Sequence, residues 1–370
     1  MPPIRILVVD DSVVIRKVLC DALASDPAVE VAGTASDGRI ALAKIEQLNP
    51  DLVTLDVEMP NMSGLETIAE IRKLHPRLPI IMFSTLTERG AGTTLDALAL
   101  GASDYVTKPS NTGSLDVTMD RIKRDLLPKV KALCGHRLAD KVDAKPVAKR
   151  VIVPALRVPR SAARIDILAI GTSTGGPNAL AEVLPAIPRD FPVPIVIVQH
   201  MPPLFTRMLA ERLNKQSVIR VHEGEPAKTL EPGHAWIAPG DHHMLVERHG
   251  TEVQLALNQA PPENSCRPAV DVLFRSVAAV FGANALAVVL TGMGSDGVRG
   301  SQVVRERGGH VYVQDEATSV VWGMPGQTVA AGWADSIFPL QSMAAEIDRC
   351  VRASRLHSSP SPRLVPSNSG

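Results

Sequence analysis

Ser173, His200 and Asp296 have the residue types that acyl-transfer chemistry requires. Each follows a short apolar run typical of a buried strand, and Ser173 stands in the glycine-rich turn 171–176. Glycines let the backbone turn sharply beside free N–H groups, so this serine could act as a nucleophile with oxyanion donors nearby. A serine nucleophile needs an imidazole to take its proton and a carboxylate to orient that imidazole. The three residues therefore predict a Ser-His-Asp site at one edge of a sheet.

Other interpretations of the same residues remain open at this point. The turn 171–176 could pack a helix on a sheet or cradle a phosphate, with its serine capping the helix. A dinucleotide site is disfavoured because the spacing is not G-x-G-x-x-G and the next strand ends in Gln199-His200 rather than an acid. His200 is one of ten histidines, and Asp241, which also follows a glycine turn, is the main rival of Asp296. An α/β-hydrolase would place its acid before its histidine, so that fold is disfavoured.

A second group of chemistry-bearing residues lies in the first 127 residues, where strand-like and helix-like stretches alternate five times. The strands end at or just before Asp10, Asp11, Asp56, Ser84 and Lys108. Three carboxylates at one sheet edge would repel one another, and a hard divalent cation such as Mg²⁺ would relieve that repulsion. A lysine and a hydroxyl beside the cation could contact a phosphoryl group. Ordinary turn residues are the plainer alternative, disfavoured because all five positions share one edge.

The composition and the order of elements predict an α/β protein of two domains. The chain has 370 residues, of which 45% are hydrophobic and 3% aromatic, so its cores are built from aliphatic side chains. We predict a five-stranded, parallel, doubly wound domain at 1–127 and an α/β domain with a parallel sheet at 165–355. Between them, 128–164 is expected to be a basic, solvated linker, and 356–370 a disordered tail. Within the second domain, 235–238 and 244–247 are expected to form a short β pair.

Charge, cysteines and hydropathy exclude several classes of protein. Lys plus Arg and Asp plus Glu both total 39, so the chain has no global attraction to nucleic acid or to a membrane surface. Its four cysteines are far apart, which favours reduced thiols over a disulfide framework or a zinc site. The N-terminus does not resemble a signal peptide, and no apolar run is long enough to span a bilayer. A cytoplasmic protein without membrane insertion is expected.

The motifs of residues 1–127 resemble the two-component receiver family. The matching residues are Asp10-Asp11, Asp56 with Met59-Pro60 and Gly64, Ser84, and Lys108-Pro109. The resemblance implies that Asp56 accepts a phosphoryl group from a histidine kinase of the CheA type. It also implies a Mg²⁺ site formed by Asp11, Asp56 and the Glu58 carbonyl, with Asp10 acting through the metal's water shell.

The receiver resemblance also implies a conformational switch. Ser84 matches the hydroxyl that moves toward the phosphate, and Tyr105 matches the aromatic residue that turns inward. Lys108 belongs to the same group, and its bond to Pro109 is expected to be cis.

The motifs of the second domain resemble the catalytic domain of the chemotaxis methylesterase family, CheB. They are IGTSTGGP at 170–177, QHMP at 199–202, APGD at 238–241, TGMGSDG at 291–297 and ATSVVWGMPG at 317–326. The resemblance implies hydrolysis of γ-glutamyl methyl esters on chemoreceptors with release of methanol, and in many members deamidation of receptor glutamines. It assigns Ser173 as nucleophile, His200 as general base and Asp296 as the orienting acid. The Met293 N–H would serve the oxyanion hole, with assistance from Thr174, and no cofactor is expected for the esterase reaction.

The order of the domains predicts how the enzyme is regulated, and two other classes of function must be weighed against it. The unphosphorylated receiver is expected to cover the active-site cleft until the added charge of the phosphate repacks the interface. A nucleic-acid-binding output is disfavoured because no helix-turn-helix or aromatic–basic pattern follows residue 165. A non-catalytic adaptor is disfavoured because the serine, histidine and aspartate are all present.

Overall fold

The computed structural model describes residues 2–85, 87–108, 115–140 and 163–356. These residues form two α/β units, each built around a parallel sheet. Across these ranges, no helix has the length and apolar character needed to cross a membrane. Pro109, with its expected cis bond, residues 141–162 of the expected linker and residues 357–370 of the expected tail lie outside the described residues.

The N-terminal unit contains five strands and five helices in strict alternation. In chain order they are β1 (Ile4–Val9), α1 (Val13–Ala24), β2 (Val29–Ala35), α2 (Gly38–Leu48), β3 (Leu52–Asp56), α3 (Gly64–Leu74), β4 (Ile80–Ser84), α4 (Glu88–Ala99), β5 (Asp104–Thr107) and α5 (Leu115–Asp140). The strand order is β2-β1-β3-β4-β5, and every neighbouring pair is parallel. This confirms the predicted five-stranded, doubly wound sheet.

Helices cover both faces of this sheet, so its strands are apolar on both sides. Every residue of β3 and β4 is buried. Along β1, Ile6 and Val8 belong to one apolar cluster, whereas Leu7 and Val9 belong to another on the opposite face. Since each strand is followed by a helix, the carboxyl ends of the parallel strands come together at one edge.

Helix α5 extends into the segment that the sequence assigned to the linker. It passes through Pro128, which cannot donate a backbone hydrogen bond, and continues to Asp140. Residues on both sides of the proline, namely Leu126, Val130 and Cys134, are fully buried against the N-terminal unit. Their burial offsets the missing hydrogen bond, so helix replaces linker as far as residue 140.

The C-terminal unit has nine strands. Its elements are β6 (Ile167–Thr172), α6 (Gly176–Ala186), β7 (Ile195–Gln199), α7 (Pro203–Gln216), β8 (Arg220–Glu223), β9 (His234–Ile237), β10 (His243–His249), β11 (Glu252–Asn258), α8 (Val270–Phe281), β12 (Ala285–Val289), α9 (Val298–Glu306), β13 (His310–Gln314), α10 (Met324–Ala330), β14 (Ser336–Phe338) and α11 (Leu340–Leu356), with a short 3₁₀ turn at Gly282–Asn284. Seven strands form a wholly parallel sheet in the order β14-β13-β12-β6-β7-β9-β8. This confirms the predicted α/β parallel-sheet domain.

The predicted β pair between 235–238 and 244–247 is wrong. Strand β9 lies inside the large sheet, parallel to β7 and β8, because its Ala235, Trp236 and Ile237 are buried. Strand β10 instead pairs antiparallel with β11, which follows it after a tight turn at Gly250. Sequence proximity misled the prediction, since β11 offers β10 a closer hairpin partner than β9 does.

Three central strands of the large sheet position the predicted triad. Strand β6 lies between β12 and β7, and all three are buried at every residue. Ser173 follows β6 directly and His200 follows β7 directly, whereas Asp296 lies in the loop between β12 and α9. Parallel pairing brings these three strand ends to the same edge, as the sequence predicted.

Candidate active site

The turn that carries Ser173 is fixed on both sides by hydrogen bonds. The Ser173 N–H donates to the Thr291 carbonyl at 3.0 Å, and its carbonyl accepts from Gln199 Nε2 at 3.0 Å. Gly292 packs directly against it, because a Cβ at that position would lie 2.9 Å from the Ser173 Cβ. Gly175 has a φ of +79°, a conformation that favours glycine. The serine therefore stands, partly exposed, on a rigid strand-to-helix turn.

Asp296 holds the His200 ring through one nitrogen. His200 Nε2 lies 2.8 Å from Asp296 Oδ2. The remaining acceptor sites of the carboxylate are filled by four N–H donors, from Val270 N (2.7 Å), Asp271 N (2.9 Å), Asn264 Nδ2 (2.9 Å) and Gly297 N (3.0 Å). Two of these donors form the N-terminus of α8, whose dipole favours a negative charge there. Burial raises the pKa of Asp296, but the His200 contact and these donors lower it below its usual value, so the acid is ionised.

The pKa of His200 is raised above that of an ordinary histidine. Burial lowers it, but the hydrogen bond to Asp296 and contacts with Cys266 outweigh burial and raise the pKa to about 10. Because the carboxylate can only accept, Nε2 carries a proton toward Asp296. Nδ1, the other ring nitrogen, lies 3.6 Å from Cys266 Sγ, and both residues line the cavity described next.

Ser173 and His200 line one open cavity of about 950 Å³, together with Met293 and Cys266. In the ranges that the structure describes, the Ser173 hydroxyl makes no hydrogen bond to the His200 ring. Catalytic hydrogen bonds often tighten only when substrate binds, so this looser arrangement is compatible with base catalysis. The imidazole and its acid are thus assembled, and the serine lies beside them in the same cavity.

The carboxylates of the N-terminal unit also converge as predicted. Asp10 and Asp56 are buried and Asp11 is exposed, and each offers an oxygen atom within 4.8 Å of the others. Lys108 Nζ lies 2.9 Å from Asp10 Oδ2 and 2.8 Å from Asp56 Oδ2. Burial raises the pKa of Asp56 to about 6, with a further rise from Asp10 and an opposing effect from Lys108. An all-oxygen donor set of this charge fits a hard divalent cation.

The remaining predicted residues of this edge have other partners in the structure. The Glu58 side chain lies 3.4 Å from Arg89 in an exposed ion pair, whereas the ligand predicted at this residue is its backbone carbonyl. The buried Ser84 hydroxyl accepts from Thr94 Oγ1 at 2.6 Å and donates to the Gly90 carbonyl at 3.2 Å. It is hydrogen-bonded to α4, which is the helix that a switch at Ser84 would move first.

Comparisons with known proteins match each of the two units to a protein family. A response regulator receiver domain model matches residues 6–120, and a CheB methylesterase model matches residues 168–347. A protein-glutamate methylesterase/protein-glutamine glutaminase of Trichodesmium erythraeum is 50% identical over 356 residues, covering 94% of this chain and 99% of the relative. A relative with the same name from Nocardioides sp. is 51% identical over 370 residues, which is 99% of both chains. The catalytic domain of Thermotoga maritima CheB methylesterase, a crystal structure, is 40% identical with a TM-score of 0.50 and covers 50% of this chain and 99% of its own.

The chain belongs to the CheB methylesterase family. Its N-terminal unit is a response regulator receiver domain, and its C-terminal unit is the methylesterase catalytic domain.

The receiver packs against the catalytic domain beside the predicted triad. Thr174, the neighbour of the predicted nucleophile, donates its hydroxyl to receiver Asp104 at 2.6 Å in a buried contact. The receiver's Tyr105 stacks on Phe205 of α7, with ring centroids 4.7 Å apart. Lys129 donates to both Asp104 and the Tyr105 carbonyl, at 2.8 and 2.7 Å. The predicted switch tyrosine and the predicted oxyanion assistant are therefore both held at this interface.

Further contacts extend the interface along α4. Asn178 Nδ2 donates to the Leu98 carbonyl at 2.7 Å, joining α6 to α4. Two exposed ion pairs join α7 to α4, Arg207 with Glu88 and Arg212 with Asp96. Receiver residues 105–107, 124, 125 and 129 line the same cavity as the predicted triad.

Sequence reasoning missed four residues of this site: Asp104, Phe205, Asn264 and Cys266. Phe205 follows the QHMPP run and could have been noticed as an aromatic residue in an aromatic-poor chain. Asn264 and Cys266 belong to the loop between β11 and α8, in which Asn264 and Ser265 have positive φ angles. The sequence offered no periodic signal for that loop. Its proximity to His200 depends on a return of the chain after the β10–β11 hairpin.

Proposed function

We propose that this chain is a phosphorylation-controlled protein-glutamate methylesterase and protein-glutamine glutaminase that acts on chemoreceptors. Family membership supports both activities, and one structural observation supports the catalytic assignment. That observation is the part-buried His200–Asp296 ion pair, which lies at the same sheet edge and in the same cavity as Ser173. All four cysteines are free thiols, which supports a cytoplasmic setting.

The proposed reaction is acyl transfer in two steps. Ser173 Oγ attacks the ester carbonyl while His200 Nδ1 takes its proton, and methanol leaves with that proton. Water then hydrolyses the glutamyl-enzyme by the same route. Asp296 keeps the ring oriented through Nε2 and stabilises the imidazolium form. The Met293 N–H, in the loop beside Ser173, would stabilise the oxyanion, a contribution of about 3–4 kcal/mol in comparable sites.

The proposed control begins at Asp56, which would accept a phosphoryl group from a histidine kinase. Asp10, Asp11 and Asp56, with the Glu58 carbonyl, would hold Mg²⁺, whose charge would offset that of the phosphate. Ser84 would then leave its partners on α4 to contact the phosphate, and Lys108 would pair with it. Because α4 and Tyr105 contact the catalytic domain, these movements would loosen the interface that lies over the cavity.

The direct test is methanol release from a methylated chemoreceptor, with and without a phosphodonor plus Mg²⁺. Wild type is expected to release methanol faster with the phosphodonor, and Ser173→Ala to release none in either condition. Ser295→Ala is the matched control, since Ser295 lines the same cavity without following a buried strand directly. Release that survives in Ser173→Ala would reject the assigned nucleophile. If methanol release needed Ser173 but had the same rate with and without the phosphodonor, regulation by the receiver domain would be rejected.

A further inference from the structure

Cys266 occupies a position that the methylesterase reaction does not use. Its Sγ lies 3.6 Å from His200 Nδ1, and both residues line the open cavity. His200, Cys266 and Asp296 each offer an atom within 4.8 Å of the others. A thiol and an imidazole this close could supply two ligands to Zn²⁺ or a similar divalent cation.

Asp296 orients the His200 ring for such a cation but is not itself a ligand of the cation. Its two oxygen atoms already accept five hydrogen bonds, including the one from His200 Nε2. In the neutral form of the ring, the proton is therefore on Nε2, and the metal-binding lone pair belongs to Nδ1. Zinc-bound histidines commonly show this arrangement, with a carboxylate holding the other ring nitrogen.

The distance between the two candidate ligands matches a tetrahedral site. Zinc lies about 2.3 Å from a thiolate sulfur and about 2.0–2.1 Å from an imidazole nitrogen. At a tetrahedral angle, those bond lengths place sulfur and nitrogen about 3.6 Å apart. Cys266 Sγ and His200 Nδ1 are separated by 3.6 Å. The two side chains could therefore bind the ion with little movement.

The cavity supplies the rest of the coordination sphere and the route of entry. His200 and Cys266 both line the open cavity of about 950 Å³, which admits an ion with its water molecules. Water molecules from this open cavity would fill the remaining positions. Binding would release the protons held by the thiol and by Nδ1.

We propose that His200 Nδ1 and the Cys266 thiolate form an inhibitory site for Zn²⁺ or a similar soft divalent cation. An occupied Nδ1 lone pair cannot accept the proton of Ser173, so the bound ion blocks the first step of acyl transfer. Inhibition rests on the proposed function, whereas ion binding does not. The two can be measured separately.

The first test measures binding by the full-length protein without substrate. Co²⁺ is added in the presence of excess Mg²⁺, which competes for the oxygen ligands of the receiver. Cysteine coordination is then read as a thiolate-to-cobalt charge-transfer band. The band is expected in wild type and in Cys350→Ser, and it should be absent from Cys266→Ser and Cys266→Ala. A wild type without the band, a band that persists in both Cys266 variants, or one that Cys350→Ser also abolishes would overturn the site.

The second test measures inhibition of methanol release by Zn²⁺ at fixed Mg²⁺. The Zn²⁺ concentration for half-inhibition is expected to rise about tenfold or more in Cys266→Ser relative to wild type, because a ligand is lost. Each variant is compared with its own metal-free rate, and Cys350→Ser should respond as wild type does. Equal sensitivity of wild type and Cys266→Ser would show that zinc inhibits elsewhere and would overturn the inhibitory role. If the protein released no methanol at all, the proposed function would fail while the cobalt result still decided the site.

Discussion

At the scale of single residues, the catalytic assignment depends on how fully Asp296 is satisfied as an acceptor. Five N–H groups point at its two oxygens, so the carboxylate cannot rotate without leaving buried donors unpaired. Its rival Asp241 is exposed and pairs with Arg267 instead. The structure therefore separates two aspartates that both lie in glycine-containing loops of the sequence.

Replacing Asp296 by asparagine should remove most of the activity. The asparagine NH₂ group would face N–H donors that now bond to a carboxylate oxygen, so some of them would lose their acceptor. A neutral amide also cannot stabilise the imidazolium form of His200. We expect kcat for methanol release to fall by about 10³–10⁴-fold. Asp241→Asn is the matched control and should stay within about threefold of wild type. Similar losses in both variants would argue against Asp296 as the orienting acid.

The pH dependence of the unphosphorylated enzyme should reflect the raised pKa of His200. A protonated ring cannot accept the proton of Ser173, so activity rises as pH rises through that pKa. The rising limb of kcat/KM is expected well above the ordinary histidine value of about 6.5. The ion pair also stabilises the fold, fully at pH values below about 6.5 and progressively less as pH approaches the folded pKa of about 10. A limb at or below 6.5 would show that Asp296 and Cys266 do not raise the pKa.

At the scale of elements, α4 is the helix that connects the predicted phosphorylation site to the catalytic domain. Its Gly90 and Thr94 are the hydrogen-bond partners of Ser84, and its exposed face carries acids that pair with α7. Helix α7 in turn presents Phe205 to Tyr105. A displacement of α4 would therefore change the receiver's contacts with α6 and α7.

Reversing the two acids of α4 should activate the enzyme without phosphorylation. The double variant Glu88→Arg and Asp96→Arg places like charges opposite Arg207 and Arg212, which weakens the docked arrangement. Methanol release without phosphodonor is expected to rise by about two- to tenfold, since exposed pairs contribute modestly.

The matching swap provides the control for that experiment. Adding Arg207→Glu and Arg212→Glu restores opposite charges across the interface and should return the rate toward wild type. Glu70→Lys, which reverses an exposed charge on α3, should leave the rate unchanged. A double variant with wild-type activity would mean that these pairs do not contribute to docking.

At the scale of the whole molecule, one apolar cluster continues from the receiver into the catalytic domain. It contains Leu95 and Tyr105 on the receiver side and Phe205 and Leu209 on the other. Burial of these side chains favours the docked arrangement through the hydrophobic effect, while the polar contact between Thr174 and Asp104 fixes its register. Access to Ser173 therefore depends on the arrangement of two domains.

Phosphorylation should make Ser173 more reactive toward a fluorophosphonate probe. The docked receiver lines the cavity, so labelling of the unphosphorylated chain is expected to be slow and to speed up several-fold with a phosphodonor plus Mg²⁺. Mass spectrometry of the labelled peptide gives the rate and the site. Asp56→Asn is the control and should label slowly in both conditions. Equal rates for wild type with and without the phosphodonor would contradict the proposed docking.

The sequence by itself determined the central strands of both sheets, the edge at which they end and the residues placed there. Buried parallel strands are continuous apolar runs, so β1, β3, β6, β7 and β12 could be located locally. Parallel topology then places Asp10, Asp56, Ser173 and His200 at strand ends. Such predictions need only short-range patterns and one rule of sheet geometry.

The tertiary structure alone decided which partners these elements meet. It placed β9 in the large sheet and β10 in a hairpin, extended α5 through Pro128, and brought Cys266 to His200. It also joined Asp104 of the receiver to Thr174 of the catalytic domain. These contacts connect residues far apart in the chain, and each is stabilised by burial and packing that a local pattern does not encode.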